Sequence, residues 1–159
     1  MIIKELKDED FVNYKKPSLF LGFPTCNFKC CKEGNFPIDI CQNCKLMQSN
    51  DIHINASQIV DRYLSNPITS AIVCGGMEPM DSWNDLSDLV KQLRQKTDDD
   101  IIIYTGFYPS EVEDKINYLK QYKNIIIKFG RYKQDDVKHY DDVLGVWLVS
   151  NNQYAERVS

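Results

Sequence analysis

Apolar residues fall along this chain in two rhythms. Residues 18–23 (SLFLGF), 69–74 (TSAIVC), 101–105 (IIIYT), 125–129 (IIIKF) and 143–149 (VLGVWLV) form short, nearly continuous runs rich in β-branched and aromatic side chains. Such runs read as buried strands. Between them, apolar positions recur at helical spacing. Asn55 with Gln58 three residues on has the form of a capping box, and Ile59, Val60, Tyr63 and Leu64 follow on one face. Asp81 or Ser82 opens a second stretch carrying Trp83, Leu86, Leu89, Val90 and Leu93, and Pro109-Ser110 with Glu113 opens a third carrying Val112, Ile116 and Leu119. These stripes are core rather than a cofactor box.

Strands that alternate with helices imply βαβ units and a largely parallel sheet whose faces are covered by helices. About five strands are too few to close an eight-stranded barrel. The expectation is therefore an α/β fold, an open partial (β/α) barrel of about five mainly parallel strands, in one domain over residues 1–159. A hydrophobic share of 43% in 159 residues supports one ordinary core. The N-terminal segment MIIKELKDEDF turns acidic too early for a signal peptide, and no apolar run spans a bilayer, so a soluble cytoplasmic protein without membrane contact is expected. A net charge of -4 argues against general nucleic-acid binding.

Cysteine placement changes the picture most. Five of the six cysteines fall in residues 26–44, directly after the first predicted strand. In a parallel fold that loop leaves the ligand-binding end of the sheet, and clustered thiols without a secretory leader are more often metal ligands than disulfides. Two metal readings are open. Cys26, Cys30, Cys41 and Cys44 fit the count of a closed zinc tetrahedron. Alternatively, three thiolates hold an iron-sulfur cluster and leave one iron free to coordinate a substrate or cofactor.

Further motifs bear on this choice. Cys26-x-x-x-Cys30 opens like the radical S-adenosylmethionine signature. Position 33, where the third cysteine usually stands, is Glu, and ten residues separate Cys30 from Cys41 in Ile40-Cys41-Gln42-Asn43. Cys74-Gly75-Gly76-Met77-Glu78-Pro79 resembles a Gly-Gly-Glu-Pro motif with one residue inserted. Tyr104-Thr105-Gly106-Phe107, Phe129-Gly130-Arg131-Tyr132 and Ser150-Asn-Asn152-Gln153 follow in order. Together these segments resemble the activating proteins of anaerobic ribonucleotide reductase, a radical S-adenosylmethionine family.

That resemblance implies a 4Fe-4S cluster on Cys26, Cys30 and Cys41, with Cys31 and Cys44 as spare thiols. It implies S-adenosylmethionine as second cofactor, contacted by Asn43, Gly75, Gly76, Glu78, Pro79, Thr105 and Gly106. The implied reaction is generation of a 5′-deoxyadenosyl radical that installs a glycyl radical on a partner enzyme, the large subunit of anaerobic ribonucleotide reductase, with an electron donor such as flavodoxin. The competing classes are a non-catalytic zinc or iron-sulfur module, and a radical enzyme with another target.

Overall fold

Four of the five apolar runs become adjacent parallel strands. The computed structural model describes all 159 residues. Its elements are β1 (Ile2–Ile3), β2 (Glu5–Asp10), β3 (Ser18–Phe23), α1 (Lys29–Gly34), α2 (Cys44–Met47), β4 (Ile52–His53), α3 (Ala56–Ser65), β5 (Ala71–Gly76), α4 (Trp83–Arg94), β6 (Asp100–Tyr104), α5 (Glu113–Leu119), β7 (Ile125–Phe129), β8 (His139–Asp141), β9 (Val146–Leu148) and β10 (Tyr154–Arg157). The main sheet has six strands in the order β10-β7-β6-β5-β3-β2 and is open. Strands β3, β5, β6 and β7 run parallel, and β2 and β10 close the two edges antiparallel. No helix is long and apolar enough to cross a membrane.

The strand order advances in one direction from β3 to β7, so repeated crossovers of one hand place every connecting helix on the same face. Accordingly Ile59 and Tyr63 of α3, Leu86, Leu89 and Leu93 of α4, and Ile116 and Leu119 of α5 join Leu19, Leu21, Ile72, Cys74, Ile101, Ile103, Ile125 and Ile127 in one core. This departs from the expectation of helices on both faces. The other face, carrying Phe20, Val73, Ile102 and Ile126, is covered instead by Tyr14 and by Leu144 and Leu148.

The fifth apolar run does not enter the sheet. Gly145 turns it at φ +72°, and residues 146–148 pair with β8 in a separate two-stranded ribbon. Its place at the edge goes to β10, a polar strand with one buried residue, Ala155. Strand parity then sorts the remaining side chains. Cys74 shares the helical face with Ile72, whereas Tyr104 and Lys128, paired in register, share the opposite face with Ile102 and Ile126.

Candidate metal centre

Parallel strands all end on one side, and here the C-terminal ends of β3, β5, β6 and β7 surround a cavity of about 310 Å3. That volume is at the lower end of the range for ligand sites. Its lining includes Cys26, Cys30, Cys31 and Cys41 from the segment after β3, Gly75, Gly76 and Glu78 at the end of β5, Thr105 and Gly106 after β6, and Lys128 of β7. The opposite wall is Val146 to Val149 of the ribbon, and Asn43 and Gln153 complete it. Cys74, buried under the helices, and Cys44 lie outside the lining. Pro79, expected among the cofactor contacts, is also outside; it is buried and opens the 3-10 turn Pro79–Ser82 that leads into α4.

Local backbone geometry aims the thiols. Phe28 adopts a left-handed conformation, φ 57°, just before α1. This costs on the order of 1 kcal/mol for a non-glycine residue, and it leaves the Phe28 amide 3.2 Å from the Cys26 sulfur, to which it donates. A side chain at Gly106 would stand 3.2 Å from the Cys30 sulfur, so that sulfur faces the end of β6 across a bare backbone. Burial pushes the Cys26 thiol up to about 12. Burial also raises Cys30, against the opposing pull of the Tyr132 amide, Lys128 and Arg131. Thiols raised in this way are protonated at neutral pH, and a metal would have to displace those protons on binding. Cys31 is raised by burial and by the adjoining Cys41 and Cys30 thiols.

The four-thiol tetrahedron allowed by spacing is not gathered: no three His, Cys, Asp or Glu side chains converge closely enough to hold a single ion. The thiols instead stand around a space, which is the arrangement a multi-atom cluster requires. The donor set fits as well, since thiolates are the usual ligands of 4Fe-4S clusters.

Glu78 anchors the wall beside Cys30, both side chains standing against Gly106. Glu78 is 4% exposed. Its Oε1 accepts from the Met80 amide at 3.0 Å and the Thr105 hydroxyl at 2.8 Å, and its Oε2 accepts from the Gly106 amide at 2.8 Å. Burial raises its carboxyl to about 7 in spite of these three donors. Lys128 is buried on the same wall, and desolvation lowers it to about 8, against the pull of Cys30 and Glu78. Neither composition nor periodicity marks Lys128. Its parity within the IIIKF run was the available signal, because a Lys in phase with Ile126 cannot face the helices.

Arg131, also buried, stands behind the cavity. Its guanidinium forms a double hydrogen bond with Glu111, whose carboxyl it holds down at about 2, and its Nε lies 2.7 Å from Glu33. Asn152 Nδ2 donates to the Arg131 carbonyl at 3.0 Å, and Gln153 Nε2 donates to the Gly130 carbonyl at 3.3 Å, so the C-terminal Ser-Asn-Asn-Gln segment straps the end of β7. Asn43 Nδ2 donates to the Gly76 carbonyl and ties the cysteine segment to the glycine turn.

Gly76 is fixed by this packing. Its φ is +84°, and a Cβ there would stand 2.7 Å from Gly22 Cα and the Phe23 nitrogen, both backbone atoms. Gly76→Ala is expected to destabilise the fold by about 2–4 kcal/mol, read as a lower midpoint in urea.

Neither a curated protein nor a solved structure matches the chain. The description of one protein family, the 4Fe-4S single cluster domain, matches residues 18–155. That span runs from the start of β3 into β10 and takes in all of the cavity lining except Val12 and Asn13, and the chain belongs to the 4Fe-4S single cluster domain family.

Proposed function

We propose that Cys26, Cys30 and Cys41 hold the 4Fe-4S cluster with one iron free of protein ligands, and that the protein acts with S-adenosylmethionine to install a glycyl radical on a partner enzyme. Anaerobic ribonucleotide reductase is the partner to which the sequence resemblance points. One observation carries this reading: the thiols after β3 share a single cavity with the Gly-Gly-Met-Glu turn after β5 and the Thr-Gly turn after β6. A purely structural cluster has no use for the second and third of these.

The chemistry supplied when cluster and S-adenosylmethionine are bound is one-electron cleavage of the sulfonium and abstraction of a hydrogen atom from a glycine Cα. The chain's own work is placement. Gly75, bare on the side of the cavity-lining Phe20 and Tyr104, lets a ligand approach the backbone closely. Glu78, held by Thr105, Gly106 and Met80, offers a fixed acceptor to an ammonium group. Phe20, Tyr104 and Leu148 give the cavity apolar walls that exclude water.

A macromolecular target accords with the rim. Val12 and Trp147, 74% and 67% exposed, both line the mouth, and Trp147 stacks edge-on with the exposed Tyr140 at 5.9 Å. Exposed aromatics beside a site mark docking surfaces. Trp147→Ala is expected to weaken the complex with the reductase roughly tenfold and leave the melting temperature unchanged; a binding titration beside a thermal melt checks both.

A second reading is favoured by Cys31, a fourth thiol on the cavity. With four thiolates the cluster is closed and serves electron transfer alone. Anaerobic reconstitution followed by low-temperature electron paramagnetic resonance separates the two. A reduced-cluster signal that changes on adding S-adenosylmethionine is the expected result, and a signal indifferent to it would leave the closed-cluster reading standing.

A further inference from the structure

Helix α1 carries Cys30 and has little apolar packing to hold it. It has six residues, Phe28 gives it no side-chain cap, and one of its residues, Cys31, is buried. A helix this short is not stable on its own turns, so contacts from outside must fix it. Glu33 stands where the third cysteine of the usual signature would lie, so the tether that a metal ligand gives at that position is missing here. Glu33 and Lys29 are four residues apart, hence on one face of the helix.

Both reach the same charged pair. Lys29 Nζ donates to Glu111 Oε1 at 2.9 Å, and Glu111 also accepts from Arg131 Nη1 at 2.7 Å and Nη2 at 2.5 Å. Arg131 Nε lies 2.7 Å from Glu33 Oε2 but off the line of its N–H, so this contact is an ion pair without a hydrogen bond. Alternating charges thus form a ring that leaves α1 at Lys29 and returns to it at Glu33. Arg131 is the fixed part of the ring: its side chain is 5% exposed, its Nη1 also donates to the Gly106 carbonyl at 3.2 Å, and the Tyr108 ring centroid lies 4.8 Å from its guanidinium carbon. Gly106 is the residue that the Cys30 sulfur faces, so the ring joins the helix bearing this thiol to the backbone opposite it. An isolated surface pair contributes little, but a bidentate Arg–carboxylate pair within a network is the exception.

We infer that Glu33, together with Lys29, is a positioning residue: through Arg131 and Glu111 it fixes α1 so that the Cys30 sulfur is held toward the end of β6 for the cluster. The inference rests on Cys30 as a cluster ligand and holds for the open and the closed cluster alike. It is separate from ligand recognition, since Lys29, Glu33, Glu111 and Arg131 all lie outside the cavity lining.

The test follows the release of iron from the reconstituted full-length protein to a ferrous-iron chelator under anaerobic conditions, with a urea midpoint taken for each variant. Glu33→Gln keeps the shape and removes the charge. It is expected to lose iron about two- to fivefold faster than wild type, the scale of one partly exposed ion pair, with an unchanged urea midpoint. Raising the salt from about 0.1 M to about 1 M, which shortens the screening length to about 3 Å, is expected to narrow the difference between the two proteins. Lys32→Gln, which removes an exposed charge from the same helix, is expected to match wild type. Equal rates in wild type and Glu33→Gln overturn the proposal. So does an equal acceleration in Lys32→Gln, or a loss of iron that tracks a lowered urea midpoint. A wild type that takes up no cluster overturns the ligand assignment itself, and this inference with it.

Discussion

Replacing Cys26, Cys30 or Cys41 by alanine is expected to leave the reconstituted protein without iron-sulfur absorption or a reduced-cluster signal, whereas Cys44→Ala is expected to retain both. The four thiols differ in where the fold puts them. Cys26 and Cys30 bracket the left-handed turn at Phe28 that opens α1, and Cys41, after the 3-10 turn Ile38–Ile40, lines the same cavity. Cys44 starts α2 and lies outside the lining. Leu46 of that helix packs near Gly22, which gives α2 an anchor on the sheet.

Cys31 is the informative control. It follows Cys30 directly on α1, and successive helical positions point about 100° apart. Cys30 faces the end of β6, and Cys31 turns toward Cys41. Cys31→Ala is therefore expected to keep the cluster, with iron content near the wild-type level. Loss of the cluster in Cys44→Ala, or its retention in Cys41→Ala, would overturn the three-ligand assignment. Counting iron and sulfide per chain in all five variants decides it.

The parallel strands were legible because they are buried on both faces: the runs at 18–23, 101–105 and 125–129 are apolar at almost every position, and neighbouring chain segments rarely imitate that. The edge strands were not. β2 reads ELKDED and β10 reads YAER, and their formation depends on pairing with β3 and β7, which local composition does not encode. The run at 143–149 misled for a related reason. Its apolar residues are used by the face without helices, and Gly145 breaks its extension. At the site, the cysteines and glycine turns announced themselves by residue type. Lys128 did not, since its meaning comes from parity and from the walls opposite. The partner strap of Asn152 and Gln153 likewise acquires a role only once β10 is seen to lie beside β7.

Asp100→Ala is expected to cost about 2–3 kcal/mol, because this carboxylate fastens three segments that local sequence leaves independent. Asp100 opens β6 and is 5% exposed. Its Oδ2 accepts from the Tyr14 hydroxyl at 2.9 Å and Lys16 at 2.6 Å, and its Oδ1 accepts from Arg157 of β10 at 2.8 Å. Tyr14, itself buried, covers the face without helices, so losing the carboxylate strands its hydroxyl in the core. Lys16 and Arg157, each nearly half exposed, return to water at little cost. Burial alone would raise the Asp100 carboxyl, but the hydrogen bonds from Lys16, Arg157 and Tyr14 outweigh it and hold it at about 2, below its ordinary value of 3.8. A folded value below the unfolded one means that the stabilisation is complete above about pH 4–5 and is lost as the pH falls through about 2. With solvent screening of the two exposed partners, the acid-sensitive part amounts to about 1–2 kcal/mol. Denaturant titrations of wild type and Asp100→Ala at pH 7, 4 and 2.5 should therefore converge as the pH drops. A gap that stays constant across that range would assign the loss to packing around Tyr14 and remove the charge from the account.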